Sequence, residues 1–196
     1  LGGMAVPAVQ RYGYGFVQGA NAAAVELGTP IEISYTYGGQ FFGDADITAY
    51  MDNWYQTLGV QVVFASGGGI YTSAAEAAAK VGGKLIGVDV DQSANINTYG
   101  EGMCVTSAMK GLAETVKHML SEVVAGNFAN YGGKIETLGL VDGDDPTANY
   151  VQLPMETTQW GDGFTQDDYK ALVKAMYDGD VTVSNDISAM PATTIT

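Results

Sequence analysis

The chain has 196 residues and a formal net charge of −14, from 22 acidic and 8 basic side chains. Its apolar share of 46% is enough for a folded core and excludes a disordered chain. So few Lys and Arg side chains argue against binding to a nucleic-acid backbone or to an anionic membrane surface. No run of about 18 apolar residues occurs, so we predict no insertion into a membrane. A single cysteine excludes an internal disulfide and a cysteine-based metal site, and a single histidine argues against most catalytic triads and against histidine-rich metal sites.

Helical and extended segments alternate along most of the chain. The pattern predicts helices at 7–27, 44–58, 71–81, 107–125 and 166–176. It predicts strands at 31–37, 60–65, 84–88, 103–106 and 134–140. We therefore expect an α/β fold with a doubly wound parallel sheet, because strands joined by helical crossovers pair in parallel.

Ligands of such sheets bind at the carboxyl ends of the strands, where loops and helix N-termini converge. One of these loops is rich in glycine: Ser66, Gly67, Gly68 and Gly69 join a buried strand to a helix. Glycines at this position allow backbone N–H groups to approach a ligand closely. No lysine of a phosphate-binding loop follows, and G-x-G-x-x-G is absent. The motif therefore predicts either ligand contact or only a tight turn.

Asp89 follows the predicted strand 84–88 and begins the segment Asp-Val-Asp-Gln. A carboxylate at this position can accept two hydrogen bonds from the vicinal hydroxyls of a ribose or another sugar. Metal binding is the rival interpretation, but Asp89 and Asp91 alone supply too few oxygens. Capping of a turn is the other alternative, and it suits Asp91 better than Asp89. We predict that Asp89 contacts a ligand.

Lys110 and Asp142 are two further charged residues that could contact a ligand. If Ser107 caps a helix, Lys110 lies in its first turn, where a cation opposes the helix dipole. Ligand binding or an ion pair with Asp89 would explain this position, and a lysine that extends into solvent is the alternative. Asp142 begins an acidic segment, but an EF-hand would need Glu where Leu153 stands. We expect a solvated acidic turn, with Asp142 as a candidate for ligand contact.

A set of short motifs follows in a fixed order along the chain. The motifs are Gly2-Gly3-Met4, Pro7, Arg11, Gly15-Phe16 and Gly19, then Tyr37-Gly38-Gly39-Gln40-Phe41, Phe64-Ala65-Ser66-Gly67-Gly68-Gly69, Ile86-Gly87-Val88-Asp89-Val90-Asp91-Gln92 and Thr106-Ser107-Ala108-Met109-Lys110. Together they resemble the basic-membrane-protein (BMP) family of ABC-transporter substrate-binding lipoproteins, whose characterised members are purine-nucleoside receptors. The resemblance covers roughly Gly2 to Leu140.

The resemblance implies a type I periplasmic-binding fold of two lobes, with a nucleoside held in the cleft between them. Asp89 matches the aspartate that binds the ribose hydroxyls, and Lys110 matches a lysine that also approaches the ribose. The loop from Ser66 to Gly69 would line the cleft, and Tyr71 is a candidate for stacking on the base. This loop departs from the G-G-T-G-x-G-like sequence usual in the family, so the base contacts stay open.

The resemblance also implies how the chain is organised and where it works. We expect residues 1–140 to form the second lobe and residues 141–196 to be a returning segment with the C-terminal helix. The first lobe would be absent from this chain. The expected partners are a small-molecule ligand and an ABC-transporter permease, with no cofactor. The expected location is the extracellular face of the membrane, with a lipid anchor on the full-length protein, or the periplasm.

We expect a binding protein rather than an enzyme, since no catalytic dyad is apparent. Within the same fold, the alternatives are a sugar-binding receptor and the ligand-sensing domain of a regulator. The alternative from another class is an enzyme that uses the glycine loop for a nucleotide. The absence of a phosphate-loop lysine disfavours that enzyme.

Overall fold

The computed structural model describes residues 1–194, which form two compact units. The first unit comprises residues 1–107 and the C-terminal segment from Val183, and the second comprises residues 108–182. The first unit holds α1 (Pro7–Leu27), α2 (Ala45–Asp52), β1 (Val62–Phe64), α3 (Tyr71–Ala79), β2 (Lys84–Asp89) and α4 (Ser93–Ile96). Strand β3 (Cys104–Lys110) runs from the first unit into the second. The second unit also holds α5 (Leu112–Val124), β4 (Val151–Gln152) and α6 (Gln166–Asp178).

The strands are arranged in one sheet in the order β1-β2-β3-β4. β1 and β2 are parallel, with Val62 opposite Lys84 and Phe64 opposite Ile86, and α3 connects them. β4 is a short antiparallel addition to the end of β3, where Met109 lies opposite Gln152. The predicted α/β class with a mainly parallel sheet is therefore confirmed.

Local signals at the helix ends decide where α1 and α2 begin and end. Pro7 occupies the first turn of α1, and Gly28 ends the helix in the left-handed region with φ of 61°. The side chain of Asp44 caps α2 by accepting a hydrogen bond of 2.8 Å from the N–H of Ile47. α2 continues as a π-helical turn at Asn53–Thr57. The predicted helices at 7–27 and 44–58 are confirmed.

The core of the first unit lies between β1, β2 and the helices α2 and α3. The buried residues of α3 are small: Ser73 and four alanines, Ala74, Ala75, Ala77 and Ala78. Small side chains allow α3 to approach α2 and β2 closely. Met51 and Leu85 are fully buried in the same cluster, and the Tyr55 hydroxyl donates a hydrogen bond of 2.8 Å to the Lys84 carbonyl.

The strand predicted at 31–37 is wrong. The structure has only isolated bridges here, in which Gly2 pairs in parallel with both Tyr37 and Ser66. The N–H of Gly2 donates to the Thr36 carbonyl, and the Gly2 carbonyl accepts from Gly38. β-Branched and aromatic composition favours a strand, but a strand also needs a neighbour along its length, and within residues 1–194 the bridge at this segment joins Tyr37 to Gly2 alone.

The helix predicted from Ser107 is also wrong at its start. Ser107 lies inside β3, is fully buried, and its hydroxyl accepts a hydrogen bond of 3.1 Å from the N–H of Gln92. α5 begins only after Gly111, whose carbonyl accepts from the Thr115 hydroxyl. Lys110 is therefore the last residue of a strand. The argument that it opposes a helix dipole does not apply.

In the second unit, the strand predicted at 134–140 is wrong. A strand here would bury its apolar side chains on one face of the sheet, but Ile135 is 97% exposed. The pairing edge at the end of β3 is occupied by β4. The helix predicted at 166–176 is confirmed as α6, which begins with a capping box of Thr165 and Asp168. In residues 1–194, no helix has the length and apolar character needed to cross a membrane.

Candidate functional site

Several predicted ligand-binding segments of the first unit meet at the carboxyl ends of its strands. The segment Leu1–Gly3, the turn at 37–40, the loop after β1 and the turn after β2 all lie there. Direct contacts join them: Gly39 N–H donates to the Gly3 carbonyl, and Gly3 N–H donates to the Ser66 carbonyl, both at 2.8 Å. The side-chain amide of Gln92 donates to the Gly68 carbonyl over a longer distance of 3.4 Å. For the loop after β1 and the turn after β2, chain order alone predicts this position.

The glycine loop makes backbone contacts that a larger residue would prevent. A Cβ added at Gly67 would lie 2.8 Å from both the nitrogen and the Cα of Gly3. Ser66 is buried, and its N–H and carbonyl are used in hydrogen bonds to Leu1 and Gly3. Within residues 1–194, the N–H groups of Gly67 and Gly68 donate to no protein acceptor. Gly67 is buried and Gly68 is exposed, so the loop can offer the Gly68 N–H to a ligand.

Phe41 lies over this loop, and residue patterns alone did not select it as a site residue. A Cβ at Gly3 would lie 2.6 Å from the Phe41 ring, which shows how closely the ring covers this backbone. The Phe41 carbonyl accepts a hydrogen bond of 2.8 Å from Gly69. Phe41 is nevertheless 42% exposed. An aromatic ring held at a loop edge with one accessible face can stack on a flat or ring-shaped ligand.

Asp89 ends β2, as predicted, and is half-buried. Its φ of 71° makes it the one non-glycine residue with a positive φ among those that the structure describes. Tyr12 of α1 lies within electrostatic reach of Asp89: burial, together with the negative charge of Asp89, raises the pKa of Tyr12 to about 12. Tyr12 therefore stays neutral near neutral pH and belongs to the same electrostatic environment as Asp89.

Three further predicted site residues, Tyr71, Lys110 and Asp142, are described by their own surroundings. Tyr71 is half-buried at the start of α3 and packs against the hydrophobic core cluster. Lys110 and Asp142 belong to the second unit. Lys110 is half-buried at the end of β3, opposite Val151. The roles assigned to these three residues stay predictions.

The Asp142 carboxylate organises its own turn. One oxygen accepts hydrogen bonds from the N–H groups of Asp145 at 2.9 Å and Asp144 at 2.8 Å. These two bonds lower the pKa of Asp142, so the group is ionised at neutral pH. Among residues 1–194, no three His, Cys, Asp or Glu side chains are grouped so that they could hold a metal ion.

Comparisons with known proteins agree with this picture. Residues 1–144 match the family model of PnrA-like ABC transporter substrate-binding proteins, Bmp. A crystal structure of an ABC transporter system solute-binding protein from Aeropyrum pernix K1 is similar in fold, with a TM-score of 0.54 and 24% sequence identity. The match covers 92% of this chain and 50% of that protein, so the chain spans half of its length. No curated protein matches the chain.

The family consists of proteins that bind a substrate for a transporter, which agrees with the expectation of a binding protein rather than an enzyme. The matched region contains the glycine loop, Asp89 and Lys110. Because the family model covers well over half of the sequence, the chain belongs to the Bmp family of PnrA-like ABC transporter substrate-binding proteins.

Proposed function

We propose that this chain binds a nucleoside, with a purine base, for import by an ABC transporter. The observation that carries the proposal is the position of Asp89 at the carboxyl end of β2, in the same turn as Gln92, whose side chain reaches the glycine loop. A carboxylate can accept hydrogen bonds from both vicinal hydroxyls of a ribose. This geometry supports recognition of a sugar diol without any catalytic step.

The neighbouring groups suit the rest of a nucleoside. The exposed Gly68 provides a backbone N–H donor that can meet a ring nitrogen or a carbonyl oxygen of a base. Phe41 offers an exposed ring face for stacking, a contact worth about 1–3 kcal/mol per base in nucleic-acid complexes. An apolar face with a few polar groups beside it is the usual composition of small-molecule sites.

The organisation of the whole protein is part of the same proposal. We assign residues 1–140 to the second of two lobes and residues 141–196 to a returning segment with the C-terminal helix. A ligand held between two lobes would stabilise a closed state by hinge motion. Lys110 and Asp142 are further proposed ligand contacts, and those assignments rest on the sequence pattern.

The partner in this scheme is the permease of an ABC importer. Delivery to such a permease requires a position outside the cytoplasmic membrane, in the periplasm or, with a lipid anchor, at the outer face of the membrane. Family membership supports this location and this partner.

A sugar is the second candidate ligand, because a carboxylate and an aromatic ring also recognise sugars. Calorimetry on the complete natural protein separates the two candidates. We expect adenosine, guanosine or inosine to bind more tightly than D-ribose or D-galactose. Tight binding of a sugar, with none of the three nucleosides bound, would reject the nucleoside proposal.

Asp89 has its own test. Loss of a hydrogen-bonded charge should weaken binding by about 1.5–3 kcal/mol, which is roughly 10- to 150-fold. Asp89→Asn is a cleaner variant than Asp89→Ala, because asparagine tolerates a positive φ. Asp91→Asn is the matched control: the Asp91 carboxylate accepts from the N–H of Ser93, and its loss should change affinity by less than about twofold. An unchanged affinity in Asp89→Asn would remove the proposed role of Asp89.

A further inference from the structure

The backbone at Asp89 adopts a tight three-residue turn. The N–H of Val90 donates a hydrogen bond of 2.8 Å to the Val88 carbonyl, with Asp89 at the centre and φ of 71°. This is the γ-turn with positive φ, which is rare and strained for a residue with a side chain. Such a conformation persists only where the surrounding structure holds it.

The side chain of Gln92 forms a hydrogen bond with the first residue of this turn. Its carbonyl oxygen accepts a hydrogen bond of 2.9 Å from the N–H of Val88, the first residue of the turn. Its amide nitrogen reaches the Gly68 carbonyl at 3.4 Å. Gln92 is only 7% exposed, so these bonds form where water does not compete for them.

The backbone of Gln92 is anchored as well. Its N–H donates to the hydroxyl of Ser107 at 3.1 Å, and Ser107 is fully buried in β3. β2 itself packs closely against this side chain: a Cβ at Gly87 would lie 2.8 Å from the Gln92 side-chain oxygen. The side chain of Gln92 therefore links the turn after β2 to the glycine loop, and its backbone N–H connects this residue to β3.

We infer that Gln92 is a positioning residue for ligand binding, which fixes the Asp89 turn and the glycine loop in one mutual arrangement. The inference rests on the proposed role of Asp89 as a ligand contact. Gln92 itself need not touch the ligand. Its contribution is preorganisation, because a turn that is already formed does not have to be ordered when the ligand binds.

The first test needs no ligand. In Gln92→Met, amide hydrogen exchange should become at least about tenfold faster at Val88, which loses its acceptor, and also at Val90, whose N–H donates to the Val88 carbonyl and not to Gln92. Faster exchange at Val90 supports the inference, because it reports opening of the γ-turn. Unchanged exchange at Val90 with faster exchange at Val88 would overturn it. Ser107→Ala removes few atoms and should give a smaller change of the same kind if Gln92→Met does not fold.

The second test is a double-mutant cycle on the complete natural protein, with calorimetric titration of adenosine, guanosine and inosine. Gln92→Met should weaken binding by about 5- to 100-fold. This range corresponds to the energy of a strained backbone conformation, which the ligand must then stabilise without Gln92. In an Asp89→Asn background, the same change should cost less than about twofold, because Gln92 acts through Asp89. An equal loss in both backgrounds would overturn the positioning role.

The matched control is Gln18→Met. The Gln18 side chain also bonds to backbone groups: it accepts from Ser184 N–H at 2.9 Å and donates to the carbonyls of Ser184 at 3.0 Å and Tyr14 at 3.3 Å. Gln18→Met should lower the free energy of unfolding without changing nucleoside affinity. The outcomes separate the two proposals. If Asp89→Asn leaves nucleoside affinity unchanged, the role of Asp89 is rejected. If Asp89→Asn weakens binding strongly and Gln92→Met adds its full loss in both backgrounds, only the role of Gln92 is rejected. If no nucleoside binds, the proposed function fails, and exchange at Val90 alone decides whether Gln92 holds the turn.

Discussion

Three glycines of α1 should respond to the same substitution in opposite ways. Gly15 and Gly19 have open space where a Cβ would be placed, with no atom within 4 Å. Alanine in a helix interior is more favourable than glycine by about 0.8–1 kcal/mol. We therefore expect Gly15→Ala and Gly19→Ala each to stabilise the first unit by roughly that amount.

Gly13 faces Tyr35 instead. A Cβ there would lie 2.8 Å from two carbons of the Tyr35 ring and closer still to its hydroxyl, so the ring must move. Tyr35 donates a hydrogen bond of 3.3 Å to Tyr37 and makes edge contacts with Tyr14 and Tyr37, at centroid distances of 5.9 and 5.3 Å. Losing part of these contacts costs about 1–3 kcal/mol. After the gain in helix propensity, Gly13→Ala should destabilise by about 0.5–2 kcal/mol.

Urea denaturation can measure this difference in the first unit alone. The chain has two tryptophans, and Trp54 is 5% exposed in the first unit, so Trp160→Phe leaves a single buried reporter there. We expect the urea midpoint to rise for Gly15→Ala and to fall for Gly13→Ala. An equal rise for both variants would refute the described packing of α1 against Tyr35.

Two further predictions concern buried polar groups. Tyr55→Phe removes the hydrogen bond to Lys84 and should destabilise by about 1 kcal/mol at neutral pH, measured by urea denaturation. Burial raises the pKa of Tyr55 above its ordinary value of 10.0, so the bond contributes below pH 10 and its contribution falls as the pH rises further. As the pH rises above 10, the free energy of unfolding should therefore fall less for Tyr55→Phe than for the natural protein. An equal fall in both would contradict ionisation of Tyr55 as the cause. Asn149→Ala removes a fully buried side chain that accepts from Val141 and Asp142 and donates to the Asp142 carbonyl. This substitution should destabilise the second unit by about 2–4 kcal/mol. Unfolding in urea is measured by the fluorescence of Trp160, with Trp54 replaced by Phe. A change below about 0.5 kcal/mol would contradict the role of this network.

Part of the candidate site could be predicted because it depends on chain order. A residue that follows a buried strand in an α/β fold must lie at the carboxyl edge of the sheet, and this rule selected Asp89 and the loop from Ser66 to Gly69. Tyr12 and Phe41 could not be selected in this way. Their positions depend on how α1 and the turn at 37–40 pack against the sheet. An aromatic residue directly after the Gly38-Gly39-Gln40 turn was the available signal for Phe41.

The sequence by itself determined the α/β class, the family, the ends of α1 and α6, and the position of Asp89 at the end of a strand. These features depend on residues close together in the chain: a proline and a glycine at helix ends, or a capping pair three residues apart. Only the tertiary structure decided that Ser107 lies in a strand, that 31–37 does not form one, and that Asp89 adopts a positive φ. Each of these depends on a partner distant in sequence or on a buried side chain, such as Gln92 for Ser107 and Gly2 for Tyr37, and local propensity carries no information about such partners.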